Sequence, residues 1–142
     1  MRVVFISLCI AVTLLQVQCT EVPKEYLDKI TLECADEQKF DKTRFSTILD
    51  DKYNIVSEDP DVFLLLECAH RKRKLIKDND FVRDAYIEAI VQTLIPVLRP
   101  NEANPAKLAE ESYDHCHTVH KQDHIGARIK DLHNCITNKL LA

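Results

Sequence analysis

From Leu27 onward, apolar residues recur at helical spacing and are interrupted by short polar breaks. Leu27, Ile30 and Cys34 stand three and four apart, behind a Pro23 suited to a first helical residue. A second short piece opens near Asp41 and carries Phe45, Ile48 and Leu49. Asp59-Pro60 pairs a capping carboxylate with proline at the first helical position. The stretch Val62 to Ala69 behind it is apolar nearly all round, which predicts the most buried helix. Arg71, Lys72, Arg73 and Lys74 close it, where cations suit the helix dipole. A solvated helix end explains that run better than a nucleic-acid or membrane patch. After Asp78-Asn79-Asp80, a polar stripe of Asp84, Glu88 and Gln92 opposes Val82, Tyr86, Ala89, Ile90, Thr93 and Val97, and Pro96 and Pro100 end the helix. Asn104-Pro105 opens another through Leu108, Tyr113, Cys116 and Val119. Asp123 caps a last one, with Ile125, Ile129, Leu132, Cys135 and Ile136 on one side. Alternating strand patterns, internal repeats and low-complexity segments are absent. The pattern predicts an all-α domain, a compact bundle of about six short helices.

Composition narrows the classes. A chain of 142 residues is one domain. Its single glycine, Gly126, argues against a P-loop, a dinucleotide-binding fingerprint or a turn-rich β fold. A net charge of −4 argues against nucleic acid as a partner. Met1-Arg2, the uncharged run Val3 to Leu15, and Val17 and Cys19 at the −3 and −1 positions read as a secretory signal peptide over residues 1–19. The run is shorter than the ~20 residues of a membrane span. A retained anchor or a lipidated Cys19 are the alternatives, and the Val-Gln before Cys19 disfavours the second. Residues 20–142 then form the secreted domain, and loss of Arg2 takes its charge to −5. Cys34, Cys68, Cys116 and Cys135 remain, an even number that implies two disulfides in an extracellular setting. Three pairings are open on spacing alone. No Cys-x-x-Cys is present, so a zinc ribbon or redox pair has no support.

The stretch Asp59-Pro60-Asp61-Val62-Phe63-Leu64-Leu65-Leu66-Glu67-Cys68-Ala69, followed by Leu75-Ile76 and Asp78-Asn79-Asp80, resembles insect odorant-binding proteins. So does Ala106-Lys107-Leu108-Ala109 with Cys116, followed by Ala127-Arg128-Ile129-Lys130-Asp131-Leu132-His133-Asn134-Cys135-Ile136. The general form of that family has six cysteines, and Leu64 and Gly126 stand where its second and fifth would be. The chain is therefore similar to the four-cysteine branch called Minus-C. The resemblance implies Cys34–Cys68 and Cys116–Cys135 bridges between helices. It also implies a helical shell around an apolar cavity, and reversible carriage of odorants, pheromones or lipid-like molecules. A missing bridge between the Leu64 and Gly126 positions implies a looser cavity. The chain ends at Ala142, soon after Cys135, which leaves no long tail to enter the cavity.

Inward helix faces supply the candidate ligand-binding residues: Phe63, Leu66, Tyr86, Ile90, Leu94, Val119, Ile129 and Leu132. Each could equally be ordinary core. Tyr86 adds a hydroxyl able to orient an alcohol, ester or aldehyde. Burial of about 300 Å² of apolar ligand surface would give a gross ~7–8 kcal/mol. Lost ligand freedom subtracts several kcal/mol, so micromolar affinity is the ceiling for most ligands. His117, His120 and His124 would share one face if a helix ran through them, which makes them weak metal candidates and a pH-responsive cluster with His115. A solvent-exposed polar stripe is the plainer reading. No cofactor is expected. The partners expected are a small hydrophobic ligand and a membrane receptor, with the protein a monomer or weak homodimer. Asp114-His115 and Asp123-His124 are better read as capping aspartates than as catalytic pairs. No nucleophile motif is present, so an enzyme is not expected. Two alternatives remain. One is a haemolymph, venom or seminal-fluid protein acting through its surface. The other is a small helical cytokine, which the proline breaks disfavour.

Overall fold

Short polar side chains begin most of the helices. Asp28 accepts from the Thr31 amide at 2.9 Å and starts α1, Lys29–Glu37. Asp41 caps a 3₁₀ turn, Lys42–Thr47, and Asp59 caps α2, Pro60–Lys72, which has proline in its first turn. Asn104 accepts from the Lys107 amide to start α5, Pro105–Cys116. The last helix, α6, runs Ile125–Leu141, and His124 rather than Asp123 caps it, Nδ1 accepting from the Gly126 amide at 3.0 Å. Between α2 and α5 lie α3, Arg83–Ala89, a π turn, Ile90–Leu94, and α4, Ile95–Leu98, which follow one another without a break. These elements come from a computed structural model that describes residues 26–118 and 123–142. The expected signal peptide, Pro23, Val119 and His120 lie outside the described residues. No helix among the described residues is long and apolar enough to cross a membrane.

Three further features differ from the sequence expectation. Pro96 does not end its helix. The π turn just before it shifts the ladder, with the Ile95 amide bonding to the Ile90 carbonyl, and the helix continues to Leu98. Asp78-Asn79 is not a plain break before a helix. Both residues have positive φ, 51° and 60°, and close a two-residue hairpin that pairs β1, Ile76–Lys77, with β2, Asp80–Phe81. Such short strands leave no alternating pattern to read. Finally, α2 is not the most buried helix: Leu64 is 48% exposed and Phe63 half-buried, because an all-round apolar run must still present one side to water. That place belongs to α6, where Ile129, Leu132, Ile136 and Leu140 are wholly buried.

α2 packs on α1 and α6, α5 packs on α3 and α6, and α4 packs on α6. This places two main cores side by side. One gathers Cys34, Phe40, Phe45, Ile48, Leu49, Ile55, Val62 and Leu65 around α1, α2 and the loop between them. The other gathers Tyr86, Ile90, Leu94, Tyr113, Cys116, Leu132 and Ile136 around α3 to α6. A smaller cluster joins Ile76, Ile125 and Ile129. The disulfides are Cys34–Cys68 and Cys116–Cys135, with Cα–Cα distances of 5.9 and 5.7 Å. On the chain-entropy account, loops of 34 and 19 residues stabilise by about 4 and 3 kcal/mol. The first bridge joins α1 to α2 and the second joins α5 to α6, so neither ties one core to the other.

Two other contacts make that tie. At Gly126, α6 meets α2 so closely that a Cβ would stand 2.6 Å from the Phe63 Cβ and 2.7 Å from its carbonyl oxygen. Further along α6, the Asn134 side chain accepts from the Ile55 amide at 2.7 Å and donates to the Ile55 carbonyl at 2.9 Å, holding the loop after the 3₁₀ turn as a strand neighbour would. The expected looseness between the Leu64 and Gly126 positions thus meets a tight helix contact.

Candidate functional site

The seam between the two cores is not filled. It holds a cavity of about 160 Å³, partly open to solvent. Phe45, Ile48, Leu49 and Ile55 form one wall, from the loop that Asn134 clamps. Leu65, Leu66 and Ala69 of α2 form the floor. Tyr86, Ala89, Ile90 and Leu94 face them from α3 and the π turn. A comparable apolar cavity of about 150 Å³ stays dry and takes up benzene. The π turn belongs to this wall. It carries Ile90, Thr93 and Leu94, all of which line the cavity.

Polar groups are few and tightly held. His70 of α2 sits with Nδ1 2.8 Å from the Leu66 carbonyl and Nε2 3.0 Å from the Tyr86 hydroxyl. Because a carbonyl only accepts, Nδ1 carries the hydrogen. Desolvation by the surrounding walls pulls the His70 pKa down to about 3, so the ring is neutral and Nε2 accepts from Tyr86. Burial likewise pushes the Tyr86 phenol above its ordinary range. His133 of α6 bonds through Nε2 to the Tyr53 carbonyl at 2.8 Å, and its pKa too is lowered by desolvation. Thr93 donates to the Ala89 carbonyl at 2.6 Å. At the edge, Arg73 donates to Asp28 at 2.5 Å and to Thr31 at 2.9 Å. Burial would raise the Asp28 carboxyl, but hydrogen bonds from Arg73 and Thr31 hold it below the ordinary value.

Of the residues chosen from sequence, Leu66, Tyr86, Ile90 and Leu94 line this cavity together. The structure places Phe63, Ile129 and Leu132 elsewhere. Phe63 is pressed against Gly126 and tilts onto His124, with ring centroids 5.9 Å apart. Ile129 is in the small cluster beside the hairpin, and Leu132 is in the core of α3 to α6. A helix presents more than one apolar line to its neighbours, and periodicity does not say which line meets empty space. His70 and His133 were missed, as was Thr93. The Arg71 to Lys74 run after His70 reads as solvated surface, yet His70 lies one helical turn past Leu66 and shares its wall.

His117 and His124 do not share one helix face, and His120 lies outside the described residues. α5 ends at Cys116 and His117 is its C-cap, stacked on Tyr113 with a centroid distance of 5.5 Å. His124 starts the next helix, so these two rings belong to different helix ends. Among the described residues no group of three metal-ligating side chains comes together. Asp114 makes a two-pronged pair with Arg83, at 2.9 and 2.8 Å, instead of engaging His115. Two members of the basic run after His70 are paired on the surface, Arg71 with Glu67 and Lys72 with Glu37, whereas Arg73 stands at the cavity edge.

Comparison with protein-family models, with curated proteins and with solved structures finds no match for this chain.

Proposed function

We propose that the protein is a secreted carrier of the odorant-binding type, which takes small hydrophobic molecules reversibly into the cavity between its two cores. The observation that carries this reading is the apolar volume itself. Leu, Ile and Phe side chains from four separate segments converge on it without filling it, whereas protein interiors are ordinarily packed to the density of organic crystals. Leaving such a void empty costs stability, about 24 cal/mol per Å³ in core-truncation series. A small apolar ligand would recover part of that cost. Two disulfides and a leader-like N-terminus support an extracellular setting.

Size limits the ligand. A cavity of about 160 Å³ suits a single ring or a short branched chain better than a long fatty acid. Affinity should lie in the micromolar range or weaker, which suits a protein that must also release its cargo.

The test is a titration of oxidised protein at pH 7 with N-phenyl-1-naphthylamine, whose fluorescence rises in apolar surroundings. Saturable enhancement that small aromatic or terpene-like molecules displace would support the carrier. The three-ring probe exceeds the single-ring ligands that the cavity suits, so the result that would rule the carrier out is a helical, fully oxidised sample that binds neither this probe nor, by calorimetry, the single-ring ethylbenzene.

A further inference from the structure

The cavity wall has an unusual hydrogen-bond balance, and it bears on which ligands the carrier would hold. Tyr86 gives its hydroxyl hydrogen to His70 Nε2, at 3.0 Å. His70 gives its own to the Leu66 carbonyl, at 2.8 Å. Thr93 donates to the Ala89 carbonyl, at 2.6 Å, and Thr31 to Asp28, at 2.9 Å. His133 donates to the Tyr53 carbonyl, at 2.8 Å. Each of these five side chains has committed its hydrogen within the protein. What Tyr86 and Thr93 retain is oxygen lone pairs, which can only accept.

The Tyr86 direction is fixed from two sides. The Leu66 carbonyl forces the hydrogen of His70 onto Nδ1, and the neutral ring then presents a bare Nε2 to the phenol. A phenol that donates to an imidazole becomes a better acceptor at its own oxygen, because hydrogen bonds in a chain polarise one another. Tyr86 is also held in place, ring to ring, by Phe81 at 5.3 Å and Tyr113 at 5.6 Å, which fixes where its oxygen sits beside His70.

We propose that the cavity selects ligands that donate a hydrogen bond, alcohols and phenols above all, over acceptor-only molecules of equal size such as ethers, esters and ketones, with the Tyr86 oxygen as the receiving atom. This rests on the carrier reading above and narrows it to one ligand chemistry. The physical cause is asymmetric. An alcohol gives up its bond to water and regains one at Tyr86. An ether or ketone loses the water that donates to its oxygen, as the alcohol does, and has no hydrogen to give the Tyr86 oxygen, so it regains nothing there. Arg73 and Tyr26 complete the polar part of the wall. Of the Arg73 guanidinium, Nη2 donates to Asp28 and Thr31, and the Tyr26 ring stacks on Tyr53.

Isothermal calorimetry on oxidised protein at pH 7 tests this with three probes of eight heavy atoms: benzyl alcohol, its isomer anisole, and ethylbenzene. Benzyl alcohol is expected to bind about fivefold to tenfold more tightly than anisole. In Tyr86→Phe that advantage should fall to about twofold or less, while ethylbenzene still binds saturably and shows that the cavity persists. Equal affinities for the two isomers in the wild type would overturn the inference and leave the carrier reading standing. Tighter binding of anisole, or of benzoate as a fourth probe, would overturn it in favour of donors at the Arg73 side. An undiminished alcohol preference in Tyr86→Phe would remove Tyr86 as the receiving atom. No binding by any probe, together with no saturable naphthylamine signal, would instead sink the carrier reading. The wild-type comparison needs no variant, so it decides the matter even should Tyr86→Phe fail to fold.

Discussion

Gly126→Ala is the smallest change that reaches the contact tying the two cores together. The backbone at Gly126 is helical with negative φ, so the residue is needed for space and not for conformational freedom. A methyl group there would lie 2.6 Å from the Phe63 Cβ, 2.7 Å from its carbonyl oxygen and 2.9 Å from its Cα. All three belong to the α2 backbone or its first side-chain atom, so no rotamer change relieves them. Ordinary contact needs about 3.5 Å or more, which means α2 and α6 must part by roughly 1 Å. Overpacking of that kind costs about 1–3 kcal/mol. Alanine returns up to ~1 kcal/mol of helix propensity, and less in a first turn. The net expectation is a loss of about 1–2 kcal/mol and a fall in Tm of roughly 3–10 °C. Thermal and urea unfolding of the oxidised protein read this directly. Asn138→Ala, on the exposed side of the same helix, serves as the propensity control. If Gly126→Ala melts at or above the wild-type temperature, the close crossing of α2 and α6 is not there, and the argument from it fails.

Asn134→Ala should cost about 2–3 kcal/mol, because the Ile55 amide and carbonyl, at a buried position, each lose a hydrogen bond. Amide exchange should then quicken over residues 50–56, and unchanged exchange there would count against the clamp. Stability should decline below about pH 6.5. The folded His70 pKa is below its unfolded value, so its contribution is complete above pH 6.5 and is lost as pH falls toward 3. His133 acts in the same direction, and His70 alone predicts a loss of about 2 kcal/mol between pH 6.5 and 5. Urea midpoints that do not move over that range would refute it. Ala89→Phe should fill the cavity from the α3 side and abolish ethylbenzene binding while leaving the helical circular dichroism intact. Binding that persists in this variant would place the ligand elsewhere.

Much of this architecture is legible in the sequence because it is written in local signals. Asp41, Asp59 and Asn104 cap the elements they were expected to cap, and the apolar spacing of α6 marks the most buried helix face without naming it as such. The hairpin at Asp78-Asn79 was hidden because two-residue strands have no periodicity, and the π turn before Pro96 because nothing in composition distinguishes it from a helix end. The cavity was half legible. Leu66, Tyr86, Ile90 and Leu94 could be chosen from helix faces, but Phe45, Ile48, Leu49 and Ile55 come from an irregular loop whose place depends on Asn134, 79 residues beyond Ile55. His70 and His133 escaped notice for a related reason. Their neutral, hydrogen-bonded state follows from a carbonyl and a phenol brought by folding, and the sequence around them is charged.

The central claim is that a small apolar molecule enters the seam between the two cores. Amide and methyl chemical shifts in isotope-labelled, oxidised protein, recorded as ethylbenzene is added, test it most directly. The account predicts saturable shifts centred on Leu66, Ala69, Ile90 and Leu94, with Ile48 and Ile55 following from the opposite wall. Shifts confined to the exposed apolar residues Leu32, Val56, Leu64 and Leu141, or no saturable shift at all, would contradict it.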